Sequence, residues 1–175
     1  MIARRPSGYR LIAVLGLACL SLSDPARAEH ESLPPDYPDS LERELASLQS
    51  RIATEGGKVD RLIAGAELYL NIADDLFEDE AQKRLAYEAA ADMAKRALQM
   101  EERNAQAHFL YAAARGSAER LKGIANAGLA LGGIREHVSR AIELDPGHAQ
   151  ALQMMGGLYA ELPWLLGGSE KEAES

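Results

Sequence analysis

One stretch of this chain occurs twice, 44 positions apart. Arg96, Ala97, Leu98, Gln99 and Met100, followed by Asn104, Ala105, Gln106 and Ala107, return as Arg140, Ala141, Ile142, Glu143 and Leu144, followed by His148, Ala149, Gln150 and Ala151. Each copy reads as the end of one helix, a short polar break and the start of another. A helical pair that recurs at fixed spacing cannot bury its apolar face alone, so it stacks on its neighbours. The expectation is an all-α fold, a short solenoid of antiparallel helix pairs with extended repeats. Long stacked surfaces favour binding over catalysis as the class of function.

Residues 1–28 read as a signal peptide. Arg4, Arg5 and Arg10 precede an apolar run from Leu11 to Leu22, and Ala26-Arg27-Ala28 offers a small-residue cleavage site. The run is shorter than the roughly 20 apolar residues of a membrane span. Cleavage after Ala28 is preferred to lipid anchoring at Cys19, because Gly16 stands where a lipidation motif carries an aliphatic residue. The expected localisation is therefore export, to a periplasm. Cys19 is the single cysteine, so such cleavage would leave no disulfide, thiolate metal site or cysteine nucleophile.

Charge narrows the partners. Without the four Arg and one Asp of the leading segment, 19 basic and 27 acidic residues become 15 and 26, a charge of −11. Surfaces that track phosphates need clustered Lys and Arg. Nucleic acid and anionic membrane are disfavoured.

Residues 29–40, with Pro34, Pro35 and Pro38, read as an extended linker, and residues 41–175 as one helical domain incomplete at its C-terminal end. Ser40 is placed to cap a first helix carrying Leu41, Leu45, Leu48 and Ile52, which Gly56-Gly57 ends. A second helix from near Val59 carries Leu62, Ala66, Tyr69, Leu70 and Ala73. A third, from Glu80 to Met100, sets Leu85, Ala89, Ala90, Met93, Ala94 and Ala97 toward a close neighbour. After Asn104 a fourth follows, with Ala107, Leu110, Tyr111 and Ala114.

Over residues 116–133, Gly116, Gly123, Gly128, Gly132 and Gly133 interrupt a helix-compatible apolar stretch. Two readings are open: close packing or a kink, and a flexible lid. Beyond it Ile134, Val138, Ala141 and Ile142 form a new apolar face, stopped by Asp145-Pro146-Gly147. Alternating β-branched runs are absent.

Chemistry-bearing motifs are sparse. His30 falls in the extended start, and His108 occupies a core-facing position that suits a satisfied buried histidine. His137 and His148 lie on opposite sides of a break without metal-site spacing. Asp74, Asp75, Glu78, Asp79 and Glu80 lack the spaced ligands and glycine of an EF-hand and read as a solvated helix N-terminus. No cofactor, metal or catalytic residue is expected.

The segment from Ala141 onward resembles a tetratricopeptide repeat. Ala141 and Asp145-Pro146 look like the end of a second helix, and Leu152, Met155, Gly156 and Tyr159 look like the filled groove and close approach of the next first helix. The copy with His108, Tyr111 and Ala112 is degenerate, and Leu62, Ala66 and Tyr69 echo it again. Two families with such atypical repeats are similar. One is the periplasmic T-component of tripartite ATP-independent periplasmic (TRAP) transporters. The other is the regulators of microtubule dynamics, which the run Arg135-Glu136-His137 resembles. Leu162-Pro163-Trp164-Leu165-Leu166-Gly167-Gly168-Ser169 is similar to the turn between paired helices of these extended repeats.

The resemblance implies that the first helix of each pair lines a concave surface. That register points Gln106, Phe109 and Ala113 inward from one repeat, and Gln150, Gln153 and Gly157 from the next. Amides over a small apolar floor suit a protein or peptide partner. Trp164 reads either as buried between the last helices or as a partner-facing anchor. The expected function is an exported, envelope-located binding protein of the transporter-associated kind, with a transporter solute-binding protein as candidate partner and a homo-oligomer as another. The alternatives are a small-ligand carrier linked to uptake and a hydrolase with a dispersed site.

Overall fold

The computed structural model describes residues 36–161, and every described element is helical. The helices are α1 (Ser40–Glu55), α2 (Val59–Asn71), α3 (Glu80–Met100), α4 (Ala105–Leu121), α5 (Ile124–Leu144) and α6 (Ala149–Glu161), with a π-helical turn over Ile72–Leu76 closing α2. Each packs chiefly on its neighbours in sequence, while α2 also touches α4. This is the expected helical-repeat architecture: α2 with α3 and α4 with α5 form successive pairs, and α6 opens the next.

Small side chains set the spacing. Ala66, Ala90, Ala94, Ala97, Ala107, Ala112, Ala114 and Ala141 are fully buried, so α2 to α5 approach with little between their backbones. Leu62 and Val138 are the largest side chains buried to that degree. Gly65 marks the tightest meeting of α1, α2 and α3: a Cβ there would stand 3.5 Å from Met93 Sδ and 3.6 Å from Leu48 Cδ2.

The breaks have local causes. Gly56, at φ +82°, and Gly123, at φ +112°, supply left-handed backbone after α1 and before α5. Asp79 accepts from the Gln82 amide at 2.9 Å and caps α3. Asp74 and Asp75, from the same acidic cluster, bond the hydroxyls of Tyr87 and Tyr37. Burial and then Asp74 push the Tyr87 hydroxyl well above the ordinary tyrosine range, so it stays a donor. The cluster is thus a helix start in part and a pair of tyrosine anchors in part.

Several expectations are corrected. Ser40 lies inside α1, buried, with its hydroxyl unpartnered, and Asp39 holds the cap position without a side-chain bond. Leu85 is 59% exposed instead of facing a neighbour, because it turns to the side of α3 away from Ala86 and Ala90. Leu152 is likewise 46% exposed. Residues 116–133 are helical apart from a break at Lys122 and Gly123: α4 runs on to Leu121, and α5 continues through Gly128, Gly132 and Gly133 without interruption. Close packing does not explain these three, since a Cβ at any of them would meet nothing within 4 Å. The proposed signal peptide with Cys19, most of the linker, and Trp164 lie outside the described residues.

An ion-pair network ties α3 to the end of α4. Glu119, mostly buried, takes Arg115 Nε at 2.9 Å and Lys122 Nζ at 3.3 Å, and Lys122 reaches Glu88 at 3.0 Å. The hydrogen bond from Lys122 holds the Glu88 carboxyl below its usual range.

Candidate functional site

The two copies of the repeat start their helices with one device. Asn104 Oδ1 accepts from the Ala107 amide at 3.0 Å and caps α4. At the corresponding place His148 Nδ1 accepts from the Ala151 amide at 3.3 Å. That bond fixes the tautomer: with Nδ1 an acceptor, the proton sits on Nε2. His148 Nε2–H therefore donates to Gln106 Oε1 at 2.8 Å, and Gln106 Nε2–H donates to Glu67 Oε1 at 2.7 Å. A directed hydrogen-bond chain thus runs across α6, α4 and α2, the first helices of consecutive pairs.

The expected surface residues lie on α4 and α6. Gln106 is half-buried and forms its centre. Phe109 is also half-buried, its ring 5.1 Å from that of His148 at 47°. It packs against the Ile134 and Val138 cluster and against the Ala66 and Leu110 cluster, so it is floor and core at once. Ala113 is half-buried beside it, and Gln150, Gln153 and Gly157 are exposed along α6. Space is open over Gly157. Glu67 and His148 are the participants sequence reasoning missed. For His148 the signal was present, since it occupies the cap position that Asn104 holds in the other copy.

Two open pockets flank this region. One, of about 530 Å³, lies between the turns that precede α4 and α6, and its lining includes Arg103, Asn104, Asp145 and His148. The other, of about 450 Å³, is lined by Glu102, Glu136, Ser139, Arg140 and Glu143 around a pair of histidines.

In that pair, buried His108 is fully satisfied, as its position implied. Its Nε2–H donates to the Glu102 carbonyl at 2.8 Å, which leaves Nδ1 to accept from His137 Nδ1–H at 2.9 Å. The His137 ring also packs on Tyr111 with centroids 4.5 Å apart. Burial, and then the neighbouring His108, lower the His137 pKa. The rings spend their facing nitrogens on each other, and among the described residues no three His, Cys, Asp or Glu converge on a metal position. Nor is any described helix long and apolar enough to cross a membrane.

A family model described as regulator of microtubule dynamics protein 1-3 matches residues 37–165. The protein named regulator of microtubule dynamics protein 1 in Mus musculus is 40% identical over 93 residues, covering 49% of this chain and 29% of that protein. Its namesakes in Bos taurus and Pongo abelii are 40% and 41% identical over the same length, with 28% of each covered. The match thus spans under a third of the curated relatives' length. These relatives come from animals, whose cells have no periplasm. That overturns the expected export to a periplasm and the envelope-located function, and with them the TRAP T-component role and the solute-binding partner. The matched description names a regulator and lends no support to the uptake-carrier and hydrolase alternatives. Of the two families the repeats resemble, the comparison selects one: the chain belongs to the regulator of microtubule dynamics protein 1-3 family.

Proposed function

We propose that the chain is a protein-binding helical-repeat module whose α2, α4 and α6 face holds an extended segment of a partner protein. The observation that carries this is the chain from His148 through Gln106 to Glu67, which pre-orders polar groups across three helices. An ordered polar surface loses less entropy when a partner docks. Gln150 and Gln153 add exposed amides that can bond a backbone, while Phe109 and Ala113 supply the apolar floor and Gly157 leaves room above it. The net charge of −8 and the carboxylate of Glu67 favour a segment carrying basic side chains. The relatives are named regulators of microtubule dynamics, so the partner is proposed to be a component of that system, with tubulin as the first probe.

The test is microtubule growth and shrinkage from purified tubulin, followed by microscopy with and without the chain. Wild type is expected to change a growth or catastrophe rate. The double variant Gln150→Lys with Gln153→Lys should lose that effect at unchanged helicity, since both residues are exposed. If wild type and double variant act alike, or neither acts, the reading fails.

A further inference from the structure

Glu67 is the last acceptor of the hydrogen-bond chain that crosses α6, α4 and α2. His148 and Gln106 each pass a donor onward, and Glu67 Oε1 receives the final one at 2.7 Å. The chain is therefore neutral at α6 and carries its negative charge at α2. Glu67 is half-buried, and a carboxylate drawn partly out of water is costly unless a cation meets it. Glu119 shows how the fold answers that cost elsewhere, with Arg115 at 2.9 Å and Lys122 at 3.3 Å. Among the described residues every ion pair lies away from Glu67, whose one polar contact is the neutral Gln106 amide.

The surroundings select the kind of cation. Glu67 has a second carboxylate oxygen, and Gln106 Oε1, which accepts from His148, keeps a further lone pair. Arginine carries five donors in a planar fork and can serve both side chains, whereas lysine concentrates its three at one point. Ile63, one turn before Glu67, and Phe109, one turn after Gln106, both pack on the Ala66 and Leu110 cluster and stay half-exposed. Apolar side chains beside a carboxylate suit the long stem and flat head of arginine.

We propose that Glu67 is the specificity-determining residue of the α2, α4 and α6 face and takes an arginine near one end of the bound segment. This rests on the peptide-binding reading of that face. It also gives the segment a direction. Neighbouring helices stand about 8–10 Å apart, so α2 to α6 is about 16–20 Å, which extended chain covers in roughly five or six residues. The arginine stands that far from the stretch over Gln150 and Gln153. That stretch is uncharged, because α6 itself carries no charge before Glu161.

The probe is a set of short overlapping peptides covering the α- and β-tubulin chains, titrated against the full chain by fluorescence anisotropy. Peptides that bind are expected to carry an arginine toward one end. Glu67→Gln keeps an oxygen for the Gln106 amide and removes only the charge. It should weaken each peptide by about tenfold or more, and replacing that arginine by alanine should do the same. The two changes together should cost no more than either alone, because each removes one side of a single contact. Bound peptides without arginine, or affinities that Glu67→Gln leaves unchanged, would overturn the proposal and leave the face itself to the Gln150→Lys, Gln153→Lys variant. Binding of no peptide would also overturn it, while the microtubule assay decides the broader reading separately.

Discussion

Asn104 and His148 make the same capping hydrogen bond in successive repeats, to the amides of Ala107 and Ala151. Both receiving alanines are fully buried, so neither amide has water as a substitute. Asn104→Ala is expected to cost about 1 kcal/mol in urea unfolding. His148→Ala should cost more, because Gln106 then loses its donor as well. His148→Asn should restore the cap and recover part of the loss.

The histidine pair predicts a pH dependence. The folded-state pKa of His137 is lowered from the ordinary 6.5, so below that value the unfolded chain binds more protons. Its contribution to stability is complete above about 6.5 and is lost as pH falls through 6.5 toward the folded value. Unfolding free energies near pH 7.5 and pH 5.5 should therefore differ less for His137→Gln than for wild type. An equal difference in both would refute the assignment.

Burial separates two leucines that look alike in sequence. Leu62 is 1% exposed, and Leu62→Ala is expected to cost about 2–5 kcal/mol. Leu85→Ala, on the solvent side of α3, should stay within about 0.5 kcal/mol. Calorimetry of the two variants decides whether α3 faces as described.

Gly133 sits in the helical body of α5 with open space around it. Gly133→Ala should stabilise the chain by about 0.5–1 kcal/mol, through helix propensity and a less free unfolded state. Destabilisation would mean that the position meets something outside the described fold.

Much of the fold was legible. The predicted third helix has its observed limits, and the breaks at Gly56, Glu101 and Asp145 stand where glycine, polar residues or proline interrupt the apolar stripe. Glycine misled over residues 116–133: its propensity cost is about 1 kcal/mol per residue, and packing of Ala130, Ile134 and Val138 offsets it. Leu85 misled because an alanine-rich helix has apolar side chains on more than one face, and periodicity alone does not select among them.

The polar surface was legible only in fragments. Gln106 was singled out by the repeat register, yet its partners Glu67 and His148 lie 39 and 42 positions away. The repeat register marks His108 as a satisfied core residue, while for His137, its partner 29 positions on, the spacing speaks only against a metal site.

The sequence by itself determined helix content, the repeat and the helix limits outside residues 116–133, because these follow from local propensity and a short-range apolar period. Only the tertiary structure decided which histidine meets which, which nitrogen carries the proton and which leucine faces water. Those outcomes depend on distances between helices that lie far apart in the chain, and local pattern does not encode them.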